Sequence, residues 1–364
     1  MSINSVMTYS RAHATVRALY STMLTPETWN ALLSAEDFDA VLNILSKTVY
    51  EPYLSIKREL LTPRRTVYQI RRHLADIFEK ITQLVSEEGR QLLLWLWRLY
   101  EVDDIKAVLR GIEAHADWQQ VLLLLYPKPR HAALSLEDMQ RMVTAGDIAR
   151  AIEVTRYTPY YSALEHALER YKAEGSLFPL EVALDLEHHR QLWQSIEQLS
   201  GLDHEKAMSI VGSMIDMDNL LWAIRYRVYH HLSEQEIINY TLPFGYKVRD
   251  ADIRAIAAGA EIAPLVKNIY PDLGGLDVLE QIEEETGPAL QRLEVTLQQR
   301  IVEMCRKVFI GNPFHIGIPI AYVVLNEYEV RDLTVLIEAK ASRLPVQTFE
   351  SLLVFQPPAY QTTR

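Results

Sequence analysis

Three stretches of this 364-residue chain overlay one another without a gap, and that repetition constrains the fold more than any other feature. They are YEVDDIKAVLR from Tyr100, IDMDNLLWAIR from Ile215 and YEVRDLTVLIE from Tyr328. Each carries an acid (Glu101, Asp216, Glu329) and, three residues later, an Asp or Asn (Asp104, Asn219, Asp332). Branched apolar residues follow at Ile105, Leu220 and Leu333. Asp104 and Asn219 are 115 residues apart, Asn219 and Asp332 are 113. A second element repeats in the same order. Phe38, Val41, Leu42 and Leu45 correspond to Ile148, Ala151, Ile152 and Thr155 at a shift of 110, and in that register Thr48 and Tyr50 meet Thr158 and Tyr160. Ile262, Leu265, Val266 and Ile269 form its third copy. This period is too long for a solenoid unit of roughly 20 to 50 residues, so each copy has the size of a small helical bundle. The expected division is 1–125, 126–240 and 241–355, followed by a polar tail, 356–364. Three bundles can stand in a row or close around a pseudo-threefold axis with an axial opening. The sequence alone leaves both open.

The pattern is helical nearly throughout, and the expected fold class is all-α. Phe38, Val41, Leu42 and Leu45 fall at i, i+3, i+4 and i+7, one face of a 3.6-residue period, as do Ile262, Leu265, Val266 and Ile269. Thr25-Pro26-Glu27 offers an N-cap followed by Pro at the first helical position. Ser233 to Glu236 and Ser135 to Asp138 read as capping boxes. Asn-Gly and Asp-Gly hairpin dipeptides are absent.

Composition narrows the function. With 37 Lys+Arg against 48 Asp+Glu the net charge is −11, which disfavours nucleic acid as a partner. One cysteine, Cys305, excludes an internal disulfide and a cysteine zinc cage and fits a reducing compartment. Its place in RIVEMCRKVF reads as a packed helix thiol, although Arg306 and Lys307 could lower its pKa. Only 13 residues are glycine, and no Gly-x-x-x-x-Gly-Lys-Ser/Thr, Gly-x-Gly-x-x-Gly, His-Glu-x-x-His or Gly-x-Ser-x-Gly motif occurs, so P-loop nucleotide binding is excluded. The opening MSINSVMTYSR lacks a signal-peptide apolar core. The longest uncharged apolar run, Ile316 to Leu325, is short of the ~18 to 20 residues of a spanning helix and reads as a buried helix entered at Pro319.

No catalytic, cofactor or metal site is expected. The best metal-ligand candidates are Glu181, Asp185, His188 and His189, on one helix face, with His166 and Glu169 as a facing pair. The doubled Glu-x-x-His of carboxylate-bridged bundles is missing, and the plainer reading is a solvated polar face. His230-His231 read as surface residues near a helix end, and Trp95, Trp97 and Trp222 as core or lobe-interface aromatics. The six repeated positions, Glu101, Asp104, Asp216, Asn219, Glu329 and Asp332, are candidates either for lobe packing and capping or for contact with a partner.

The run Tyr9-Ser-Arg-Ala-His-Ala-Thr-Val-Arg-Ala-Leu19, then Met23-Leu24-Thr25, Ala35-Glu-Asp-Phe38 and Thr48-Val-Tyr50, resembles the opening of the C-subunit family of V-type/A-type ATPases, whose eukaryotic members are called d subunits. The tripled segments are similar to that family's recurrent helix, and the resemblance covers essentially the whole chain in order. It departs at His13-Ala-Thr-Val16 and at His188-His189, where the family usually carries Asn-Ala-Arg-Val and Tyr. The resemblance implies three helical lobes in a funnel around a pseudo-threefold axis. It further implies a non-catalytic coupling between the membrane proteolipid ring and the central-shaft subunits of a rotary ATPase, on the cytoplasmic face, with no nucleotide or cofactor of its own and no bilayer span. A soluble helical-repeat adaptor for another helical partner is the alternative.

Overall fold

The computed structural model describes residues 3–274, 279–280, 282 and 286–355. The expected tail 356–364 lies outside the described residues. Among the described residues every regular element is a helix, so the chain is all-α. It divides into two compact units, Ile56–Leu199 and a second made of Met1–Ser55 with Ser200–Arg364. The first and last parts of the chain thus belong to one unit.

Helices start where their caps stand. Thr25 accepts from the Thr28 N–H at 3.3 Å and opens Pro26–Ser34. Ser135 with Asp138 and Ser233 with Glu236 form complete capping boxes, each satisfying two orphan donors. Asp37 and Asp147, 110 residues apart, cap Phe38–Leu45 and Ile148–Val154 through the same bond, to Ala40 and Arg150 N–H. The apolar faces read from the period are buried: Val41, Leu42 and Leu45; Ile148, Ala151 and Ile152; Ile262 and Val266.

Three long helices carry the tripled segments: Glu87–Glu113, Ser213–Val228 and Gly317–Ala341. The first is the spine of the Ile56–Leu199 unit, with Val102, Ile105, Val108 and Leu109 packed against Met139, Met142, Ile148 and Ile152 of the downstream short helices Leu136–Thr144 and Ile148–Val154. In the other unit Ser213–Val228 packs against Asp250–Ala257, again downstream. Gly317–Ala341 is followed in the described chain only by the one-turn pieces Val346–Phe349 and Glu350–Leu352, and Phe38–Leu45 from the start of the chain packs on it. Short helices thus pack on the first two acid-bearing helices from downstream, and Phe38–Leu45 packs on the last. Ile316 to Leu325 is buried throughout; the helix begins at Gly317, so Pro319 falls in its first turn, where its missing N–H costs nothing. No described helix is long and apolar enough to cross a membrane.

Candidate functional site

All six repeated side chains are buried, each at most 1% exposed. Burying a polar or ionised group is costly unless its hydrogen bonds are made, and each finds its partners within the chain. In Glu87–Glu113, Glu101 accepts from the Ala133 N–H at 2.7 Å and from the Tyr160 hydroxyl. In Gly317–Ala341, Glu329 accepts from the Leu24 N–H at 2.9 Å and from the Tyr50 hydroxyl at 2.8 Å. Tyr50 and Tyr160 are the matched pair of the sequence register. The turns before them repeat bond for bond: Thr48 and Thr158 each donate to the carbonyl three residues back at 2.7 Å, and accept from the Tyr N–H at 3.3 Å. Asp216, one methylene shorter, accepts from the Tyr246 and Lys247 N–H groups at 2.7 and 2.6 Å. Gly245 makes that approach possible, because a Cβ there would lie 2.5 Å from Asp216 Oδ1 and 2.2 Å from the Val248 carbonyl oxygen.

The second member of each pair pins the chain 22 or 23 residues downstream. Asp104 accepts from the Tyr126 N–H at 2.9 Å and pairs with Lys128. Asn219 both donates to and accepts from the Leu242 backbone, at 3.0 and 2.8 Å. Asp332 accepts from Val354 and Phe355 N–H at 2.8 and 2.7 Å and from Arg331 at 2.9 Å. Each acid-bearing helix thus holds two backbone segments by two buried acceptors one turn apart. These are clamps, with their oxygens directed at the chain itself.

Burial dominates the electrostatics of Glu329, Asp216 and Asp332. It pushes the Glu329 carboxyl up to about 7, with nearby Asp332 adding to the rise and the Leu24 and Tyr50 bonds opposing it. Asp216 and Asp332 rise to about 6 for the same reason, each partly held down by two or more backbone N–H groups.

Two cations that no sequence motif singles out extend the pattern. Arg227 stands eight residues after Asn219 and Lys340 eight after Asp332. Arg227 donates to the Ile256 and Gly259 carbonyls at 3.3 Å, closing Asp250–Ala257. Lys340 is buried and donates to the Leu33 and Ala35 carbonyls at 2.8 and 2.6 Å, closing Pro26–Ser34. Cations there satisfy orphan carbonyls and meet the negative end of the helix dipole. Their equal offsets are the signal the sequence holds. The acid-bearing helices also end alike, on the left-handed residues His115, His231 and Arg343, with φ of 53°, 52° and 55°.

The metal candidates require a correction: their face is not a solvated one. His188 and His189 are buried, and burial with nearby cations drives His188 well below the usual histidine range, so it is neutral. Its ring lies 6.2 Å from Trp95, while His189 Nδ1 is 2.9 Å from the Asp185 carbonyl. Asp185 pairs with Lys106, and Glu181 takes a two-pronged Arg110 at 2.6 and 2.9 Å. These bonds join Phe178–Glu197 to Glu87–Glu113. His166 and Glu169 are turned elsewhere, to the Ser162 carbonyl and to Lys172. Among the described residues no three His, Cys, Asp or Glu side chains are grouped to hold a metal. Cys305 is fully buried, and burial pushes its thiol up. Trp95 and Trp97 are buried, Trp222 is half-buried, and His230 and His231 are exposed just beyond Ser213–Val228.

Residues 12–352 match the family model described as ATP synthase (C/AC39) subunit. This chain belongs to that family. Among curated relatives, the C subunit of the A-type ATP synthase of Methanocaldococcus jannaschii is 22% identical over 348 residues, which cover 95% of this chain and 86% of the relative. Its counterpart in Archaeoglobus fulgidus is 23% identical, covering 94% of each chain. That of Methanosarcina barkeri is 20% identical, covering 96% of this chain and 94% of the relative. The resemblance drawn from the opening run and the tripled segments is borne out.

Proposed function

We propose that this chain is a non-catalytic central-stalk subunit of a rotary V/A-type ATPase. In this reading three helical lobes, within 1–125, 126–240 and 241–355, form a funnel around a pseudo-threefold axis. The funnel seats the central shaft on the membrane proteolipid ring at the cytoplasmic face. It transmits torque for ion transport coupled to ATP hydrolysis or synthesis. The relatives are named as ATP synthase subunits, and the sequence holds no nucleotide loop, which supports a mechanical role.

The observation that carries the reading is the Glu329 clamp. The Glu–Tyr pairing that joins Glu101 to Tyr160 across 59 residues recurs between Glu329 and Tyr50 across 279. In an open row the last acid-bearing helix would lack the short helices that complete the others. Here Phe38–Leu45, from the start of the chain, packs on it, which favours a closed arrangement. A coupling must also resist shear. The buried clamps tie long helices to neighbouring backbone, and breaking one strands donors away from water. The excess of acid suits basic loops on a ring or a basic shaft tip through electrostatic complementarity. The six repeated residues act in this reading as packing clamps, without touching a partner.

The test is affinity purification of the tagged chain from native membranes, with identification of the attached chains. Shaft and ring subunits of one rotary ATPase are expected. Recovery with an unrelated helical partner, or from the membrane-free fraction alone, would support the adaptor instead.

A further inference from the structure

On this acidic protein several exposed cations are neutralised by an acid one helical turn away, as in Arg141–Asp138, Arg170–Glu174 and Arg254–Asp250. Residues 57–72 depart from that habit, holding six cations and one carboxylate, Glu59. Lys57, Arg58, Arg64, Arg65 and Arg72 are exposed. Among the described residues Lys57, Arg64 and Arg65 have no ion pair or side-chain hydrogen bond, and Arg72 is bonded only to neutral Gln69. Arg64 and Arg65 stand in the first turn of Pro63–Thr82, which contains no acid, so the helix dipole opposes them. Arg71 stacks over the Tyr126 ring at 4.1 Å, but folding gains little from the charges of Lys57, Arg64 and Arg65. Leu60 is 43% exposed between them, in the short turn Arg58–Leu60.

We propose that residues 57–72 dock on an anionic bilayer surface. The cations are spread over a turn and two turns of helix instead of converging on a cavity, which suits a diffuse negative plane better than one carboxylate. The adjoining cleft, lined by Arg72, Lys80, Lys128 and Arg130, also holds Asp76 and Glu79 and does not suit an anion. Clustered Lys and Arg side chains are attracted to acidic lipid surfaces, and the protruding Leu60 adds an apolar anchor at the interface. This goes beyond the coupling reading and does not depend on it.

The experiment is co-sedimentation of the full-length chain with vesicles of phosphatidylcholine alone, or with about a third phosphatidylglycerol, at low and moderate salt. Binding to the charged vesicles only, weakening with salt, is expected. Lys57→Ala, Arg64→Ala and Arg65→Ala together should lower partitioning about a hundred-fold, from roughly five-fold per charge. Arg64→Lys with Arg65→Lys should retain it. Removing cations that oppose a helix dipole should leave the melting temperature unchanged or slightly raised. Indifference of the wild-type chain to lipid charge would overturn the proposal. So would a triple alanine variant that still binds vesicles, including one that loses a partner chain instead, which would point to an acidic protein segment. Vesicle binding is read on the chain alone, so its failure is separable from failure to co-purify with a rotary ATPase.

Discussion

Glu329→Ala removes the acceptor for two donors at once, the buried Tyr50 hydroxyl and the part-buried Leu24 N–H. Each stranded donor costs about 1–3 kcal/mol, and the space left by the carboxylate adds to that, so a loss of about 4 kcal/mol is expected. It should be local. Glu329 holds the 24–54 segment on Gly317–Ala341, so amide exchange should quicken in those two stretches and not in the Ile56–Leu199 unit. Glu101→Ala supplies the matched control, stranding Tyr160 and Ala133 in the other unit and quickening exchange around 133–160. Hydrogen exchange read by mass spectrometry suits a chain of two units, where a single unfolding transition is not assured. A cycle with Tyr50→Phe and Glu329→Gln should return a coupling of about 1–3 kcal/mol. A loss below about 1 kcal/mol for Glu329→Ala, or faster exchange that spares residues 24–54, would refute the clamp.

The same carboxyl sets a pH dependence. Between the ordinary glutamate pKa and about 7 the folded chain holds a proton on Glu329 that the unfolded chain has released. Stability from this group is therefore full below the ordinary glutamate pKa, falls by on the order of 3 kcal/mol as pH rises from there to about 7, and is level above that. Glu329→Gln should flatten the fall in a denaturation series from pH 5 to pH 8. Gly245→Ala should destabilise the Asp216 clamp by several kcal/mol, because its Cβ meets backbone and a carboxylate that cannot retreat, and urea unfolding will measure it. Cys305 should resist thiol reagents in the native protein and react only on unfolding.

Much of the fold is legible in the sequence because the similar segments place matching residues in register. The caps at Thr25, Ser135 and Ser233, the apolar faces of the short helices, and the pairing of Tyr50 with Tyr160 all follow from local pattern. The clamps do not, for a physical reason. Register shows that Glu101 and Glu329 are equivalent, but not that a neighbour's tyrosine and a backbone N–H will bury them. Nor does it show which acid-bearing helix a short helix packs on, since that depends on contacts across hundreds of residues. His188 and His189 mislead on the same account: a polar pattern on one helix reads as solvated until the facing helix, with Trp95 and Lys106, is known to cover it. Arg227 and Lys340 do not stand out because a cation near a helix end is ordinary, and only its shared offset from Asn219 and Asp332 marks it.

Electron cryomicroscopy of the intact membrane complex, purified through this chain, decides whether it is a closed coupling on the axis. One copy on the rotation axis, with the shaft on one face, the ring on the other, and Tyr50 still against Glu329, is the predicted result. A copy at the periphery of the complex, or a third acid-bearing helix completed by some chain other than its own first residues, would contradict it.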